Sequence, residues 1–381
     1  MPPPDPIYLD HNATTPLLPE VVAAMLPYLT EHFGNPSSSH VYGQRAKQAV
    51  ARARQQVAAL LGCAEDEVYF TSGGTEANNL AIRGAAEARP ERPRLVTSAI
   101  EHPATEKPCQ WLGKHGRDIQ RIASDSHGQV RLSQAQELID ATTALVTVMH
   151  SNNETGVLQP IAQLAELAHH CGALMHTDAA QSLGKLPVRV DELGVDLLSI
   201  AGHKLYAPKG VGALYVRRGT PLLPFALGAG HERGLRPGTE NVASLVALGQ
   251  ACEIAGGTLA QEQARQTLLR DQLWQLLRDQ VPGLALNGHE TQRLPNTLNV
   301  RFPRVSGTAL LAAAPMVAAS TGSACHEAGE TASAVILALG VDPGEALGSV
   351  RLTLGRGTTA ADIASAAQEL AQAWRQLTSV H

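Results

Sequence analysis

The sequence predicts an α/β protein in which a mainly parallel sheet is covered by helices and a smaller α/β unit follows. Three observations carry that prediction. Short apolar runs alternate with helix-periodic segments from Val68 to Val216, which is the repeated βα spacing of a parallel sheet. After about residue 255 the pattern changes to a long helix, near 258–279, and then to the run Asn296-Thr297-Leu298-Asn299-Val300. Polar residues gather just after the apolar runs, where open α/β sheets carry their functional loops.

Taken in order, Ile7-Tyr8-Leu9-Asp10 reads as a short strand that ends in the turn Asn12-Ala13-Thr14-Thr15-Pro16, with a helix starting near Pro19. Phe33 to Ser39 is a loop. It leads into a helix whose Val50, Ala53, Val57 and Leu60 share one face and which Gly62 closes. Strand Val68–Thr71 runs into Ser72-Gly73-Gly74-Thr75 and then a helix through Glu76–Ile82. That sequence suits a phosphate cup: glycines let backbone N–H groups approach an anion, the helix N-terminus carries partial positive charge, and Thr75 adds a hydroxyl. A βα turn also uses glycine for conformation alone. Strand Arg94–Thr97, a helix from His102 to Leu112, strand Ala144–Met149, helix 160–170 and strands 173–177, 195–200 and 211–216 follow. No internal repeat or low-complexity linker intervenes, so the second unit is expected to pack on the first, joined by the N-terminal segment.

The 381 residues correspond to about two domains. With 44% hydrophobic and 17% charged residues, neither a disordered chain nor a coiled coil is favoured. A net charge of −5 argues against a nucleic-acid surface, and the densest basic group, Lys204, Lys209, Arg217 and Arg218, is interleaved with glycine and apolar residues. Cys63, Cys109, Cys171, Cys252 and Cys325 are widely spaced without a C-x-x-C pair, which predicts a reducing compartment and no structural zinc or other metal. The stretch Met1–Pro6 has no basic region or apolar signal core. The longest apolar run, Ala309–Ala319, contains Pro315 and falls short of the ~20 residues that span a bilayer. A cytoplasmic protein without a membrane partner is expected.

The stretch Ser199-Ile200-Ala201-Gly202-His203-Lys204 places a lysine on a glycine-flanked turn after an apolar run. An isolated loop lysine is ordinarily a solvated charge. Here other strand ends carry His102, then His150, Asn152, Asn153 and Glu154, then Asp178 and Gln181. Each alone reads as a cap, an Asx-turn or a satisfied buried polar group. Together with the glycine cup they match what pyridoxal phosphate requires: a carboxylate to keep the ring nitrogen protonated, an imidazole to stack on the ring, and an amine to form the Schiff base. Cys325, in Ser320-Thr321-Gly322-Ser323-Ala324-Cys325-His326-Glu327, is expected on an exposed mobile loop. The other four cysteines lie in or beside helical patterns; a reactive cysteine needs exposure and help in forming thiolate.

From Tyr8 to about Trp374 the chain resembles the cysteine desulfurases of the class V aminotransferase group (NifS/IscS-like), and selenocysteine lyase almost as closely. The matching motifs are Tyr8-Leu9-Asp10 with Asn12-Ala13-Thr14-Thr15-Pro16, Phe33-Gly34-Asn35-Pro36-Ser37-Ser38, Thr71-Ser72-Gly73-Gly74-Thr75-Glu76, Glu101-His102, and Asn152-Asn153-Glu154-Thr155-Gly156. They continue with His176-Thr177-Asp178-Ala179-Ala180-Gln181, Gly202-His203-Lys204, Arg236-Pro237-Gly238-Thr239-Glu240-Asn241 and Gly322-Ser323-Ala324-Cys325. The resemblance implies the pyridoxal-phosphate fold type I: a large domain, 15–255, with a mainly parallel seven-stranded sheet, and a small α/β domain, 1–14 with 256–381, that carries the cysteine loop. It makes Lys204 the Schiff-base lysine, Asp178 the partner of the ring nitrogen and His102 the ring-stacking residue. Gln181 and Asn153 would lie near the ring hydroxyl and the substrate, Gly74, Thr75 and His203 at the phosphate, and Thr239 would reach it from the second subunit of a homodimer. Arg351 would clamp the substrate α-carboxylate and Cys325 would accept the sulfur, with L-cysteine or L-selenocysteine as substrate and a sulfur-acceptor or scaffold protein as partner.

Two departures stand out. Many cysteine desulfurases have Ser before Gly-His-Lys, whereas this chain has Ala201, and the loop after Cys325 is glutamate-rich rather than Thr/Ser-rich. Neither removes a catalytic group. The alternatives are a selenocysteine lyase built from the same parts, a non-catalytic scaffold that keeps the fold, and a metal hydrolase using His169, His170 and His176. Against the last, adjacent histidines point to different helix faces and no H-E-x-x-H occurs.

Overall fold

A computed structural model describes residues 5–322 and 331–379. Among these the strands, in chain order, are β1 (Ile7–Tyr8), β2 (Val68–Thr71), β3 (Arg94–Ser98), β4 (Asp118–Ile122), β5 (Thr143–Thr147), β6 (Leu174–Asp178), β7 (Leu197–Ala201), β8 (Gly212–Val216), β9 (Ala285–Leu286), β10 (Thr297–Arg301), β11 (Val317–Ala318) and β12 (Ser349–Thr353). Seven form one sheet in the order β2-β8-β7-β6-β5-β3-β4. Strands β3 to β7 are mutually parallel, and β8 runs antiparallel to β7 and β2. The mainly parallel seven-stranded sheet is therefore present, and the predicted strands lie within two residues of the observed ones at each end. The strand that apolar runs do not reveal is β4, Asp-Ile-Gln-Arg-Ile, a polar sequence that the sheet edge tolerates.

Side chains alternate across the sheet, so its two faces carry separate cores. Leu197 of β7 joins Leu80, Ala81 and Leu112 under helices Gly74–Ala88 and Pro103–Lys114, while Leu198 joins Val50, Val57 and Leu164 on the opposite face. Helix Val41–Leu61 buries Val50, Ala53 and Val57 as its periodicity predicts, but Leu61 rather than Leu60 completes the buried stripe. His40 Nδ1 caps that helix by accepting from the Gly43 N–H, and Gly62 at φ 72° ends it in the left-handed conformation that glycine adopts without strain.

The long helix departs most from expectation. It runs Val242–Gln280, not from 258, because tertiary burial outweighs the low helix propensity of Gly256-Gly257. Its first half, through Ala255, packs into the large-sheet core, and Leu269, Leu273 and Leu277 pack into a second core. Residue 255 thus falls inside a helix that both cores share. By length and composition this helix could cross a bilayer, but 56% of its apolar window is buried inside the protein.

The second core lies between the antiparallel sheet β12-β10-β9 and helix Ala360–Thr378, and includes Val300, Phe302, Leu352, Ile363 and Leu370. The N-terminal segment contributes to it: β1 pairs in parallel with β11 and Leu9 is buried there.

Candidate active site

A cleft of about 450 Å³ opens where β2, β3, β5, β6 and β7 end. Gly74, Thr75, His102, Asn153, Asp178, Gln181, His203, Lys204 and Arg351, all expected from the sequence, line it. Thr239, expected from a second subunit, is exposed on the loop before Val242–Gln280 and does not line this chain's own cleft. Cys325 lies outside the described residues; Ser320 and Gly322, shortly before it, line the cleft.

Asp178 is the last residue of β6, and both its carboxylate oxygens are held. Asn78 Nδ2 donates to Oδ2 at 2.7 Å and the Ala180 N–H to Oδ1 at 2.9 Å. His102 is the N-cap of helix Pro103–Lys114, and its Nδ1 accepts from the Ala104 N–H at 3.1 Å. That bond keeps the proton off Nδ1. Burial lowers the ring's pKa further, against the pull of Asp178, so the imidazole is neutral.

Lys204 sits on the single helical turn Gly202–Lys204 that follows β7. Its Nζ donates to Asn12 O at 2.5 Å and Ala13 O at 2.6 Å. Burial brings its pKa down to about 8, with the Arg351 charge adding to the shift and Asp10 and Asp178 opposing it. About a tenth of such an amine is free base at pH 7, far more than for an ordinary lysine, and that is the state a nucleophile or base needs. Burial and then Lys204 push His203 down to about 4, and its Nδ1 lies 3.2 Å from Thr14 Oγ1.

Gly74 and Thr75 open the fifteen-residue helix Gly74–Ala88, two residues earlier than the sequence suggests, and its first N–H groups have no acceptor within the helix. A Cβ built on Gly74 would lie 3.2 Å from the Ala201 Cβ, and Ala201 itself lines the cleft. The missing hydroxyl at 201 is therefore missing inside the site. Arg351 reaches the cleft from β12. Its Nη2 donates to Asp10 Oδ1 at 2.8 Å and its Nη1 to Asn153 O at 2.9 Å, while Nε has no partner among the described residues.

Several contributors escape the sequence reading because they look like ordinary turn, helix or loop residues. Asn12, read as a turn residue, has a carbonyl that accepts from both Lys204 and Gln181. Asn78 holds Asp178. Lys185 is buried behind Gln181. Two carboxyls flank the cleft: Glu101, raised to about 8 by burial, and Glu154, raised to about 7 by the same cause. Ser333 Oγ donates to Glu154 Oε2 at 2.6 Å, and Gly322 (φ 85°) passes so close that a Cβ there would stand 2.6 Å from the same oxygen.

Burial pushes the thiols of Cys63, Cys109 and Cys252 up to about 12, which removes thiolate at neutral pH. Cys171 is half-buried and donates to Ile139 O. His169 Nε2 pairs with Asp196 at 2.9 Å, and His176 is held between Thr147 and Ser199. Among the described residues no group of three His, Cys, Asp or Glu side chains is arranged to hold a metal ion.

The cleft thus offers an amine of lowered basicity, a held carboxylate, a neutral imidazole, a helix N-terminus suited to an anion, and a guanidinium suited to a carboxylate. The chain is also similar to known proteins. Over 359 residues the chain is 46% identical to "Cysteine desulfurase 2" of Trichormus variabilis, covering 94% of this chain and 90% of that one. A solved structure titled "NIFS-LIKE PROTEIN" superposes with a TM-score of 0.90 at 33% identity, covering 96% of this chain and 98% of the other. Another, titled "SspA in complex with cysteine", gives a TM-score of 0.81 at 35% identity, covering 91% and 98%. The aminotransferase class-V family model matches residues 7–365, and the chain belongs to that family.

Proposed function

We propose that the chain is a cysteine desulfurase that uses pyridoxal 5'-phosphate, takes sulfur from L-cysteine and leaves L-alanine, with Cys325 as the sulfur acceptor. The observation that carries this reading is the convergence of Lys204, Asp178, His102 and Arg351 on one cleft. When bound, the cofactor supplies an electron sink for bonds at the substrate's α- and β-carbons. The donor set fits it. Asp178, with both oxygens fixed, would hold the proton on the ring nitrogen; neutral His102 would cover the ring face. The start of helix Gly74–Ala88, with Thr75 and His203, would take the phosphate, and Gln181 and Asn153 the ring hydroxyl and substrate. Lys204 Nζ would carry the cofactor aldehyde carbon and, once displaced, remove the substrate α-proton. Arg351 would take the α-carboxylate.

In the sulfur step the Cys325 thiolate bonds to the substrate sulfur and the Cβ–S bond breaks. Its electron pair stays on carbon, which takes a proton and becomes the methyl group of alanine. The sum is L-cysteine plus a thiol giving L-alanine plus a persulfide on Cys325, with no external oxidant or reductant. An acceptor protein, in iron–sulfur cluster assembly or tRNA thiolation, would remove that sulfur. A cytoplasmic homodimer, with Thr239 of one copy at the phosphate of the other, belongs to the same reading, as does a division into a large domain (15–255) and a small one. Support for a second copy comes from exposed apolar surface, with Phe33 and Tyr42 stacked at 5.7 Å and both open to solvent.

Cys325→Ala tests the reading. Cysteine turnover should fall to background. Selenocysteine turnover should largely survive, because a weaker C–Se bond can break without an enzyme nucleophile. Mass spectrometry of the wild type after cysteine treatment should find one added sulfur on the Cys325 peptide. Persulfide mainly on Cys63 or Cys171 would overturn the assignment.

A further inference from the structure

Lys185 is a buried lysine for which the proposed chemistry has no use. It lies on the turn after β6, at the end of the segment that carries Gln181, and is 9% exposed. Its Nζ donates to Gln181 Oε1 at 3.1 Å and to Asn12 Oδ1 at 3.2 Å. The charges acting on it are the cations Lys204 and Arg351, and burial with those charges lowers its pKa to about 7. Burying an amine beside two other cations is unfavourable, so its position calls for a compensating role.

The hydrogen bonds specify that role. A side-chain amide has one acceptor end and one donor end, and nothing in its shape decides which faces which way. An ammonium can only donate, and the neutral amine still has the two N–H groups that these contacts use, so Lys185 meets both neighbouring amides at their oxygen ends. For Gln181 the NH₂ is left to donate to Asn12 O at 2.9 Å and to face the cleft. For Asn12 the Oδ1, which also accepts from Asn296, turns toward Lys185, and Nδ2 turns to Thr297 Oγ1 and Asn153 O. The main-chain carbonyl of this anchored Asn12 then receives the Lys204 ammonium.

We infer that Lys185 is a positioning residue that sets the amide orientation of Gln181, so that the cleft receives an N–H donor rather than a carbonyl, and that holds the Asn12 carbonyl against Lys204. A donor at that point suits an anionic ring oxygen; a carbonyl would repel it. The inference rests on the proposed cofactor.

The test measures cofactor affinity of the cofactor-free protein by ultrafiltration, alongside the pH midpoint of the visible absorption of the reconstituted protein. Lys185→Met should weaken pyridoxal-phosphate binding by about tenfold, the worth of one hydrogen bond to a charged group, and should move the absorption midpoint. Lys185→Gln, which keeps a donor for Gln181 Oε1, should restore both toward wild type. In a Gln181→Ala background, Lys185→Met should weaken binding by less than about twofold further, because the two act through one contact. Unaltered binding and spectrum in Lys185→Met, full additivity with Gln181→Ala, or a Lys185→Gln protein as defective as Lys185→Met would each overturn the inference. If Lys185→Met does not fold, judged by its thermal transition, Lys185→Gln decides alone: binding and spectrum near wild type support the inference, and binding weakened about tenfold overturns it. Wild-type protein that fails to bind the cofactor would sink the proposed function and this inference with it, whereas a normal wild type with an indifferent position 185 would sink only the inference.

Discussion

The two walls of the cleft are assembled differently. One is made from the ends of neighbouring parallel strands: Asp178 closes β6, Lys204 follows β7 within a single turn, and His102 caps the helix after β3. The other is made from segments far apart in the chain, where Arg351 of β12 pairs with Asp10 across 341 positions and Asn12 bonds Thr297 and Asn296. The first wall is fixed by the hydrogen-bond ladder of a buried sheet. The second exists only when the N-terminal segment, β10 and β12 have come together. A strand-end wall suits groups whose geometry must not vary during bond making, while a wall shared between two cores suits groups that recognise the substrate's invariant end.

That division predicts where damage shows in the kinetics. On the sheet wall, Lys204→Ala removes the amine proposed as both cofactor anchor and base, so turnover of cysteine should fall by roughly 10³-fold or more. Its thermal transition should stay close to that of the cofactor-free wild type, because Lys204 contributes two polar contacts and little apolar packing. Alanine produced near the wild-type rate would remove Lys204 from the mechanism.

The same division explains what the sequence made legible. Asp178, His102 and Lys204 could be placed at the cleft because each follows a recognisable apolar run, so local pattern and position in the cleft coincide. Arg351 sits in a run of its own, but its pairing with Asp10 and with Asn153 O depends on long-range register. Local pattern alone identifies no partner for it; the role proposed for it comes from the family resemblance. Asn12, Asn78 and Lys185 stayed hidden for a similar reason: their importance lies in bonds to residues 100 to 285 positions away or on the neighbouring turn, and their residue types are ordinary for a turn, a helix and a loop. For the fold, β4 was illegible because an edge strand need not be apolar, and the start of Val242–Gln280 was illegible because two glycines mimic a break that burial overrides.

On the second wall the expected effect is smaller and of another kind. Arg351→Lys keeps the charge but loses the planar fork, so KM for cysteine should rise about tenfold while kcat changes little. The same rise should appear with any α-amino acid that binds. A fall in kcat with KM unchanged would mean that Arg351 acts on the reacting bonds and that the two walls do not divide binding from chemistry.

The smallest effect compares two buried carboxyls, one on each wall, in the cofactor-free protein. Glu101, beside His102, accepts from Ser98 Oγ and the Met149 N–H; burial raises it to about 8. Glu154, against Gly322 and Ser333, is raised to about 7 by burial, with the Ser333 hydrogen bond and then the Arg351 charge pulling the other way. Both pKa values lie above the ordinary carboxylate range, so the folded protein holds protons that the unfolded chain has lost. Their stabilising contribution is complete below about pH 4.5 and disappears as pH rises through about 7 for Glu154 and about 8 for Glu101. At pH 7 unfolding should therefore release about one proton from Glu101 and about half of one from Glu154. Calorimetric unfolding in buffers of different ionisation enthalpy counts those protons directly. Glu101→Gln should lower the count by about one and Glu154→Gln by about half as much, with the difference vanishing near pH 5, where both carboxyls are fully protonated in the folded state. Equal counts at pH 7 would mean that the Ser333 hydrogen bond and the Arg351 charge together do not hold Glu154 below Glu101, and that the wall shared by the two cores is electrostatically no different from the wall built by the sheet.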